Sequence, residues 1–224
     1  MASSKEKLVK ELIIYGTGLV AEVAEFYFSA DTDYRIVAFT NAAEFITQEQ
    51  FNNKPVIPFE DLEQDYSPDK FDIFIALGYT KTNQVRQARY LEAREKGYTC
   101  ATYISPRAAY YETPVGDNCF ILEQNVIEPF VHIGNNVILW SGNHIGHHST
   151  IRDHCFISSH VVVSGNCDIG ENCFLGVNAT LRDNIKLDRF VVVGSGAIVM
   201  KDCAERTLVK PAQSTQSVVD RDLI

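Results

Sequence analysis

Histidine is the side chain best suited to move a proton near neutral pH, and all six histidines of this sequence lie between His132 and His160. An imidazole can act there as a general base or as a metal ligand. One of them, His147, has a glycine, Gly165, 18 residues after it. A glycine amide beside a histidine base is suited to hold an oxyanion, since the N–H is fixed in place and the missing side chain lets a reactant approach.

The 18-residue spacing has a structural meaning because the second half of the chain repeats every six residues. Three straight segments of six residues complete one turn of a three-sided solenoid, whose coils stack about 4.8 Å apart. His147 and Gly165 are therefore expected to be neighbours on adjacent coils, outside the inward row of aliphatic side chains. That row consists of Val115, Ile121, Ile127, Ile133, Leu139, Ile145, Ile151, Ile157, Val163, Ile169, Leu175, Leu181, Leu187, Val193 and Val199.

Two further positions of the hexad support this period. The residue after the aliphatic one is often glycine, where we expect the turn to need a permissive backbone. The glycines are Gly116, Gly134, Gly146, Gly170, Gly176 and Gly194. The fifth position is small or β-branched and includes five cysteines, which we interpret as small core residues rather than disulfide partners. These are Cys119, Cys155, Cys167, Cys173 and Cys203.

The first half predicts a small parallel α/β sheet with helices on both faces. The apolar run of residues 11–18 precedes a helical pattern, which predicts a strand, a tight turn and a helix. Further strands are expected at about 34–39 and 71–77, a helix over 83–96 and a short strand near 99–104. We divide the chain into an α/β domain at residues 1–108 and a solenoid domain at residues 109–224.

The turn Gly16-Thr17-Gly18 fits the start of a G-x-G-x-x-G/A pattern, which places phosphates at a helix N-terminus. Thr40 and Asn41 stand where a nicotinamide-binding domain would place an acidic ribose contact, and the domain is about half the size of a dinucleotide-binding unit. We therefore favour a single nucleotide or nucleotide-linked ligand over a hydride-transfer cofactor. Glycines that serve only packing are the alternative.

An α/β domain with an early G-x-G, followed directly by hexapeptide repeats, resembles the hexapeptide-repeat nucleotide-sugar acetyltransferases. This family includes the bacillosamine-pathway and perosamine N-acetyltransferases and the sialic acid O-acetyltransferases, and the resemblance covers almost the whole chain. It implies a Rossmann-like domain that binds a nucleotide-linked amino sugar. It also implies a left-handed parallel β-helix that binds acetyl-CoA, and a homotrimer with active sites between subunits.

The resemblance implies a catalytic set of His147, His148 and Gly165. His147 matches the family's base in the segment Ile145-Gly146-His147-His148, and Gly165 matches the oxyanion donor. Family members often carry an acidic residue directly after the base, where this chain has His148. The partner that accepts the base's second proton therefore stays open, with Asp153 or a neighbouring subunit as alternatives.

The resemblance also implies contacts for both substrates. Those expected for acetyl-CoA are Gly165, Val177, Ser195, Gly196, Lys201, Arg206 and Lys210, close to Pro211-Ala212, after which Gln213 replaces the usual basic residue. Those expected for the nucleotide sugar are Gly16, Thr17, Gly18, Thr40, Asn41, Gly78 and Asn143.

Charge and hydropathy exclude other classes of partner. Twenty basic against 29 acidic residues give a formal net charge of -9, which disfavours binding to nucleic acid. No apolar run approaches the length that spans a bilayer, and the first residues lack the apolar core of a signal peptide. We therefore expect a cytoplasmic protein with no membrane partner.

The predicted function is acetyl transfer to the amino group of a nucleotide-linked 4-amino-6-deoxy sugar. One alternative is O-acetylation of a sugar hydroxyl, and another is a non-catalytic trimer that binds a sugar nucleotide. The same fold also hosts zinc hydratases with ligands from two subunits. Because His148, His154 and His160 fall on three successive faces, we expect no metal site within one chain.

Overall fold

The computed structural model describes residues 10–111, 113–212 and 214 of the 224-residue chain. They form a small α/β sheet followed by a left-handed parallel β-helix with three flat faces, which confirms the predicted fold class. Within the described ranges, no helix is long and apolar enough to cross a membrane.

The α/β domain is a five-stranded sheet of order β3-β4-β2-β1-β5, in which only the β3–β4 pair is antiparallel. Its elements are β1 Glu11–Tyr15, α1 Leu19–Asp31, β2 Arg35–Asn41, a 3-10 helix Ala43–Phe45, β3 Gln50–Phe51, β4 Lys54–Pro58, α2 Leu62–Asp65, β5 Phe71–Ile75 and α3 Gln84–Glu95. We did not predict the β3–β4 hairpin. Its turn residues Asn52 and Asn53 have φ of 47° and 61°, a conformation that asparagine tolerates.

The last predicted strand of this sheet divides between the two domains. Cys100 forms a parallel bridge with Ile73 of the α/β sheet. Tyr103 and Ile104 instead pair with Phe120 and Ile121 in the β-helix. The chain therefore enters the β-helix without an intervening linker.

The β-helix is a triangular prism whose faces are three parallel sheets. Face 1 contains β6 Tyr103–Ile104, β8 Phe120–Ile121, β11 Ile138–Leu139, β14 Phe156–Ile157, β17 Phe174–Leu175, β20 Val192–Val193 and β22 Leu208–Val209. Face 2 contains β7 Ala109–Tyr110, β9 Val126–Ile127, β12 His144–Ile145, β15 Val162–Val163, β18 Thr180–Leu181 and β21 Ile198–Val199. Face 3 contains β10 His132–Ile133, β13 Thr150–Ile151, β16 Asp168–Ile169 and β19 Lys186–Leu187.

The interior of the prism is filled by the predicted aliphatic row. From Ile121 to Val199, each member of that row is at most 3% exposed. The cysteines are free and buried, which confirms their interpretation as core residues. Their thiols donate across the coil, as from Cys155 Sγ to the Gly170 carbonyl oxygen at 3.1 Å. Burial raises the pKa of the Cys119 thiol to about 12, so it stays protonated at neutral pH.

Our explanation of the hexad glycines was wrong, because these residues do not need an unusual backbone conformation. A Cβ on Gly146 would lie 2.6 Å from the Gly165 nitrogen, and one on Gly176 would lie 2.6 Å from the Ser195 nitrogen. Glycine is required because the backbone of the next coil passes too close for a side chain.

The left-handed conformation falls two residues later, at the fourth position of the hexad. Non-glycine residues with positive φ at this position are Asn118, Gln124, Phe130, Asn136, His148, His154, His160, Asn166, Asn172, Asn178, Asn184 and Phe190. Asparagine dominates because its short polar side chain tolerates this conformation. His148, His154 and His160 share this fourth position because histidine is also enriched in the left-handed region.

The α/β domain docks on face 1 through an aromatic cluster. Phe28 of α1 stacks on Phe120 of β8, with ring centroids 6.4 Å apart and 9° between the planes. Phe74 of β5 lies 5.3 Å from the same Phe120 ring. These rings are buried, so both domains share one apolar core at this contact.

A buried cation completes the docking. Arg86 on α3 is fully buried, and its guanidinium donates to the carbonyl oxygens of His154 (2.9 Å) and Cys155 (3.1 Å). It also donates to the Gly78 carbonyl oxygen at 3.0 Å and to Asn136 Oδ1 at 3.1 Å. Burial lowers the pKa of Arg86 to about 10, so the side chain is still charged at neutral pH.

Replacing this cation should destabilise the whole chain. Arg86→Leu leaves the buried carbonyl oxygens of Asn136 and His154 without a donor among the described residues, and we expect the free energy of unfolding to fall by about 3 to 5 kcal/mol. Arg89→Leu is the matched control, because Arg89 forms a half-exposed pair with Glu92 on the same helix and should change stability by less than about 1 kcal/mol. Equal effects in denaturant unfolding would contradict the role of Arg86.

Candidate active site

His147 lies at the corner between face 2 and face 3, directly after β12 and Gly146. Its side chain is exposed, and its ring lies over Gly165 of the next coil. A Cβ on Gly165 would meet His147 Cε1 at 2.7 Å and Nε2 at 2.8 Å. Only glycine therefore leaves the imidazole room at this corner.

The Gly165 amide provides a free donor beside that ring. Among the described residues it has no hydrogen-bond acceptor. The equivalent amide of Asn135 is occupied, because it donates to Asp153 Oδ1 at 2.7 Å. His147 Nε2 and the Gly165 N–H thus form a proton acceptor and an anion-binding donor on one side of the prism.

Glu128 fixes the backbone of this corner, and the sequence reasoning missed it. Its Oε2 accepts the His147 backbone N–H at 2.8 Å, and its Oε1 lies 3.9 Å from His144 Nε2. The sequence signal for Glu128 was its spacing, because a residue 19 positions before His147 lies at the same corner of the preceding coil. Glu128 therefore holds the loop that carries the imidazole.

His148 contacts the second nitrogen of the base. The Nδ1 atoms of His147 and His148 lie 3.1 Å apart, within hydrogen-bond distance. Asp153, our other candidate for this partner, lies at the corner between faces 3 and 1, where its carboxylate accepts from the Asn135 amide. Asp153 is therefore not the partner of His147 within one chain, because it serves the Asn135 turn.

The glycine turn after β1 is shaped by two glycines with different duties. Gly16 has φ of 119°, and its amide donates to the Thr40 carbonyl oxygen at 2.8 Å. A Cβ there would lie 3.0 Å from the Ala76 carbonyl oxygen. Gly18 is the exposed N-cap residue of α1, so no side chain at this position covers the helix end. Thr17 beside it is half-buried. The N-terminus of α1 is thus open toward solvent, where it could receive an anion.

Two predicted sugar contacts are internal instead. Thr40 is fully buried, and its hydroxyl donates to the Ile57 carbonyl oxygen at 2.7 Å. Asn143 is 1% exposed, and its Oδ1 accepts from the Val161 amide at 2.8 Å. Both side chains are committed to the fold, so they cannot contact a ligand. Asn41, next to Thr40, is half-buried at the end of β2.

A cavity of about 230 Å³ lies between the two domains at the corner of faces 1 and 2. It brings together Gly78, predicted for the sugar, and Val177, predicted for acetyl-CoA. The other lining residues are Val20, Tyr79, Trp140, Phe156, Ser158 and Ser159. His147 lies at a different corner, with face 2 between them. One chain alone therefore does not bring the base to this cavity.

The remaining predicted acetyl-CoA contacts lie toward the C-terminal coils. Ser195 and Gly196 are exposed at the same corner as Val177, and the Gly196 amide donates to the Val177 carbonyl oxygen at 2.8 Å. Lys201 and Lys210 line a depression of about 610 Å³ at the end of the prism. Arg206 instead pairs with Glu205 and lies over the Phe190 ring, away from these residues. Gln213 lies outside the described residues.

Metal-binding groups are dispersed in the part of the chain that the structure describes. No set of three or more His, Cys, Asp or Glu side chains is arranged there to hold a metal ion. His154 is buried against Arg86, and burial lowers its pKa to about 4. It is therefore neutral at pH 7 and structural.

Two family models match separate parts of the chain. The PglD N-terminal domain matches residues 11–92, and the bacterial transferase hexapeptide (six repeats) matches residues 115–147, 131–165 and 148–183. Together they cover about two thirds of the sequence, in the predicted order. A comparison with curated proteins finds no significant match.

Solved structures share this fold over almost their full length. The acetyltransferase domain of PglB from Neisseria gonorrhoeae FA1090 has a TM-score of 0.80 at 24% identity, covering 91% of this chain and 100% of that one. A histidine-to-asparagine variant of perosamine N-acetyltransferase from Caulobacter crescentus, in complex with CoA and GDP-perosamine, has a TM-score of 0.79 at 22% identity, covering 89% and 93%. WeeI from Acinetobacter baumannii AYE has 0.68 at 16% identity, covering 89% and 95%.

Asn143 and Asn41 should separate a role in folding from a role in binding. Asn143→Ala removes the acceptor of a buried amide, and we expect the free energy of unfolding to fall by about 2 to 4 kcal/mol. Asn41→Ala should cost less than about 1 kcal/mol but weaken binding of a nucleotide sugar. Denaturant unfolding and titration calorimetry measure both effects. A fully stable Asn143→Ala variant would show that the Asn143 side chain is not required for the fold.

Proposed function

We propose that this chain, which belongs to the hexapeptide-repeat transferases with a PglD-type N-terminal domain, transfers the acetyl group of acetyl-CoA to a nucleotide-linked 4-amino-6-deoxy sugar. The observation that carries the proposal is the His147 ring over Gly165, whose amide has no acceptor within the described residues. A complex of the Caulobacter enzyme with CoA and GDP-perosamine supports both the co-substrate and an amino sugar as acceptor.

The proposed mechanism is direct transfer without an acyl-enzyme. The sugar amine attacks the thioester carbonyl carbon while His147 Nε2 accepts a proton from the amine nitrogen. The Gly165 N–H donates to the oxyanion that forms on the carbonyl oxygen. Collapse of the intermediate breaks the carbon–sulfur bond, and His147 returns its proton to the departing CoA thiolate. The products are the acetamido sugar and free CoA.

The acceptor binds, in this proposal, across the α/β domain. Its phosphates lie at the open N-terminus of α1 beside Gly18, where the helix end favours negative charge. Asn41, half-buried at the end of β2, contacts the nucleoside in this proposal. Val20, in the first turn of α1, lines the cavity with Gly78, so the sugar can extend from the phosphates toward the prism.

A homotrimer with active sites between subunits is the proposed assembly. Face 2, which separates His147 from the cavity, carries an outward row of apolar side chains. These are Val126 (42% exposed), Val162 (37%) and Ile198 (65%), which alternate with His144 and Thr180 in the same column. Such a stripe favours burial against a second copy of the chain. A second copy on face 2 would bring its own cavity toward His147.

The cytoplasm is the proposed location of the reaction. Six free cysteines in the described structure suit a reducing compartment, and acetyl-CoA supplies the acyl group there. We propose that the product enters the synthesis of a surface glycan.

Thiol release from acetyl-CoA tests the reaction and the base together. The wild type should release CoA with one of the UDP-, dTDP- or GDP-linked 4-amino-6-deoxy sugars, and His147→Ala should lower kcat about 100- to 10,000-fold. His132→Ala is the matched control, because His132 is exposed on face 3 and should leave kcat unchanged.

Each contrary result has a defined meaning. Release only with nucleotide sugars that lack the amino group would indicate O-acetylation of a sugar hydroxyl instead of N-acetylation. Nucleotide-sugar binding without any release would indicate a non-catalytic binding protein. An unchanged rate in His147→Ala would remove His147 from the mechanism.

Gly165→Ala tests the placement of the base over position 165, because alanine keeps the backbone N–H and adds only a Cβ. The added Cβ would collide with the His147 ring, so we expect kcat to fall about 100-fold or more while the affinity for the nucleotide sugar stays unchanged. Ser164→Ala, one residue earlier, should keep the wild-type rate. Calorimetry and steady-state kinetics separate the two parameters. Loss of nucleotide-sugar affinity in Gly165→Ala would show that the substitution disturbs more than the His147 ring.

A further inference from the structure

The corner that carries His147 has an outer column of residues in the left-handed conformation. The column consists of Phe130, His148, Asn166 and Asn184, each 18 residues from the next. The last two are asparagines, which suit this conformation, whereas a bulky aromatic residue such as Phe130 is strained there. Phe130 is also 76% exposed. Burial in the prism therefore does not account for a phenylalanine at this place.

Contacts connect this column to the base. The Phe130 ring packs on the His148 ring, with centroids 4.7 Å apart and 38° between the planes. His148 in turn meets His147 at nearly a right angle, 87°, with 3.1 Å between the Nδ1 atoms. Phe130, His148, His147 and Gly165 therefore form a continuous series of contacts around one corner.

The distance between the two Nδ1 atoms restricts the protons. A hydrogen bond there needs one nitrogen to donate and the other to accept. If His147 donates from Nδ1, its Nε2 carries a lone pair and can accept a proton above Gly165. If His148 donates instead, a neutral His147 carries its hydrogen on Nε2 and cannot act as a base. The direction of this one hydrogen bond decides whether the site is active.

We propose that His148, held by the Phe130 ring, is the positioning residue that accepts the Nδ1 proton of His147 and so leaves His147 Nε2 free over Gly165. This inference rests on the proposed function, because it concerns the base of that reaction. During transfer, the amine proton moves to His147 Nε2, and the Nδ1 proton stays between the two rings. His148 itself gains no proton, and the His147 cation is oriented by a hydrogen bond it already makes.

The tautomer of His147 is the first test, because it does not depend on activity. Nitrogen-15 NMR of the full chain with labelled histidine should place the hydrogen of neutral His147 on Nδ1. In His148→Gly, which keeps the left-handed backbone but removes the acceptor, the hydrogen should move mainly to Nε2. A wild-type His147 with its hydrogen on Nε2 would overturn the proposal.

Kinetics of two variants at position 148 test the consequence. His148→Gly should lower kcat about 10- to 100-fold with little change in either KM, because the base loses its orientation and not its substrates. His148→Asp tolerates the left-handed backbone and offers a carboxylate acceptor, so it should recover kcat to within about 5-fold of wild type. Equal loss in both variants would show that position 148 serves only the fold.

Phe130 is tested against a residue in the same conformation. Phe130→Asn removes the ring while keeping a residue that suits the turn, and we expect kcat to fall about 5- to 20-fold with an unchanged KM. Phe190→Asn is the matched control, because Phe190 has φ of 61° at the corner of faces 3 and 1 and should leave kcat unchanged. Equal kcat in Phe130→Asn and wild type would remove Phe130 from the series.

Failure of this inference can be told from failure of the proposed function. A wild type that transfers no acetyl group, but whose His147 carries its hydrogen on Nδ1, retains the positioning and loses the reaction. Acetyl transfer that needs His147 but is indifferent to His148→Gly retains the reaction and rejects the positioning.

Discussion

Coils of the prism stack in register only when every turn takes 18 residues, because a shift of one residue would turn each inward side chain toward solvent. This constraint converts positions in the hexad into columns. Aliphatic residues fill the interior, glycines stand where the next coil passes closely, and left-handed residues turn the corners. The same register sets His147 over Gly165, so the candidate base and the free amide are placed by the fold rather than by a specialised loop.

The α/β domain is held on this prism by polar groups as well as by aromatic packing. Arg86 reaches carbonyl oxygens at His154 and Cys155, and Asn83 donates to those of Asn172 and Cys173 at 3.1 and 3.0 Å. Hydrogen bonds are directional, so these contacts fix the orientation of the domain as well as its attachment. Arg86 also binds the Gly78 carbonyl oxygen, which ties one wall of the cavity to the prism.

The period and the order of domains were predictable because they depend on local pattern. The place of Asn143 was also readable, since it stands at the fifth, inward position of its hexad, but we assigned it from resemblance instead. The reason for glycine at position 146 depends on the approach of a neighbouring coil, which no single hexad contains. The link between His147 and His148 depends on side-chain torsions, and the docking of Arg86 depends on the meeting of two domains. Neither leaves a periodic signal.

The five buried cysteines of the prism can report local opening of its coils. Burial raises the pKa of Cys119 to about 12, so a reactive thiolate forms only when the surrounding coil opens. The alkylation rate of each cysteine therefore measures how often its own coil opens. Cys119 and Cys155 lie in earlier coils and are 0% exposed, whereas Cys203 near the C-terminal end is 8% exposed. Fraying of the solenoid from that end would therefore make Cys203 react before Cys155 and Cys119.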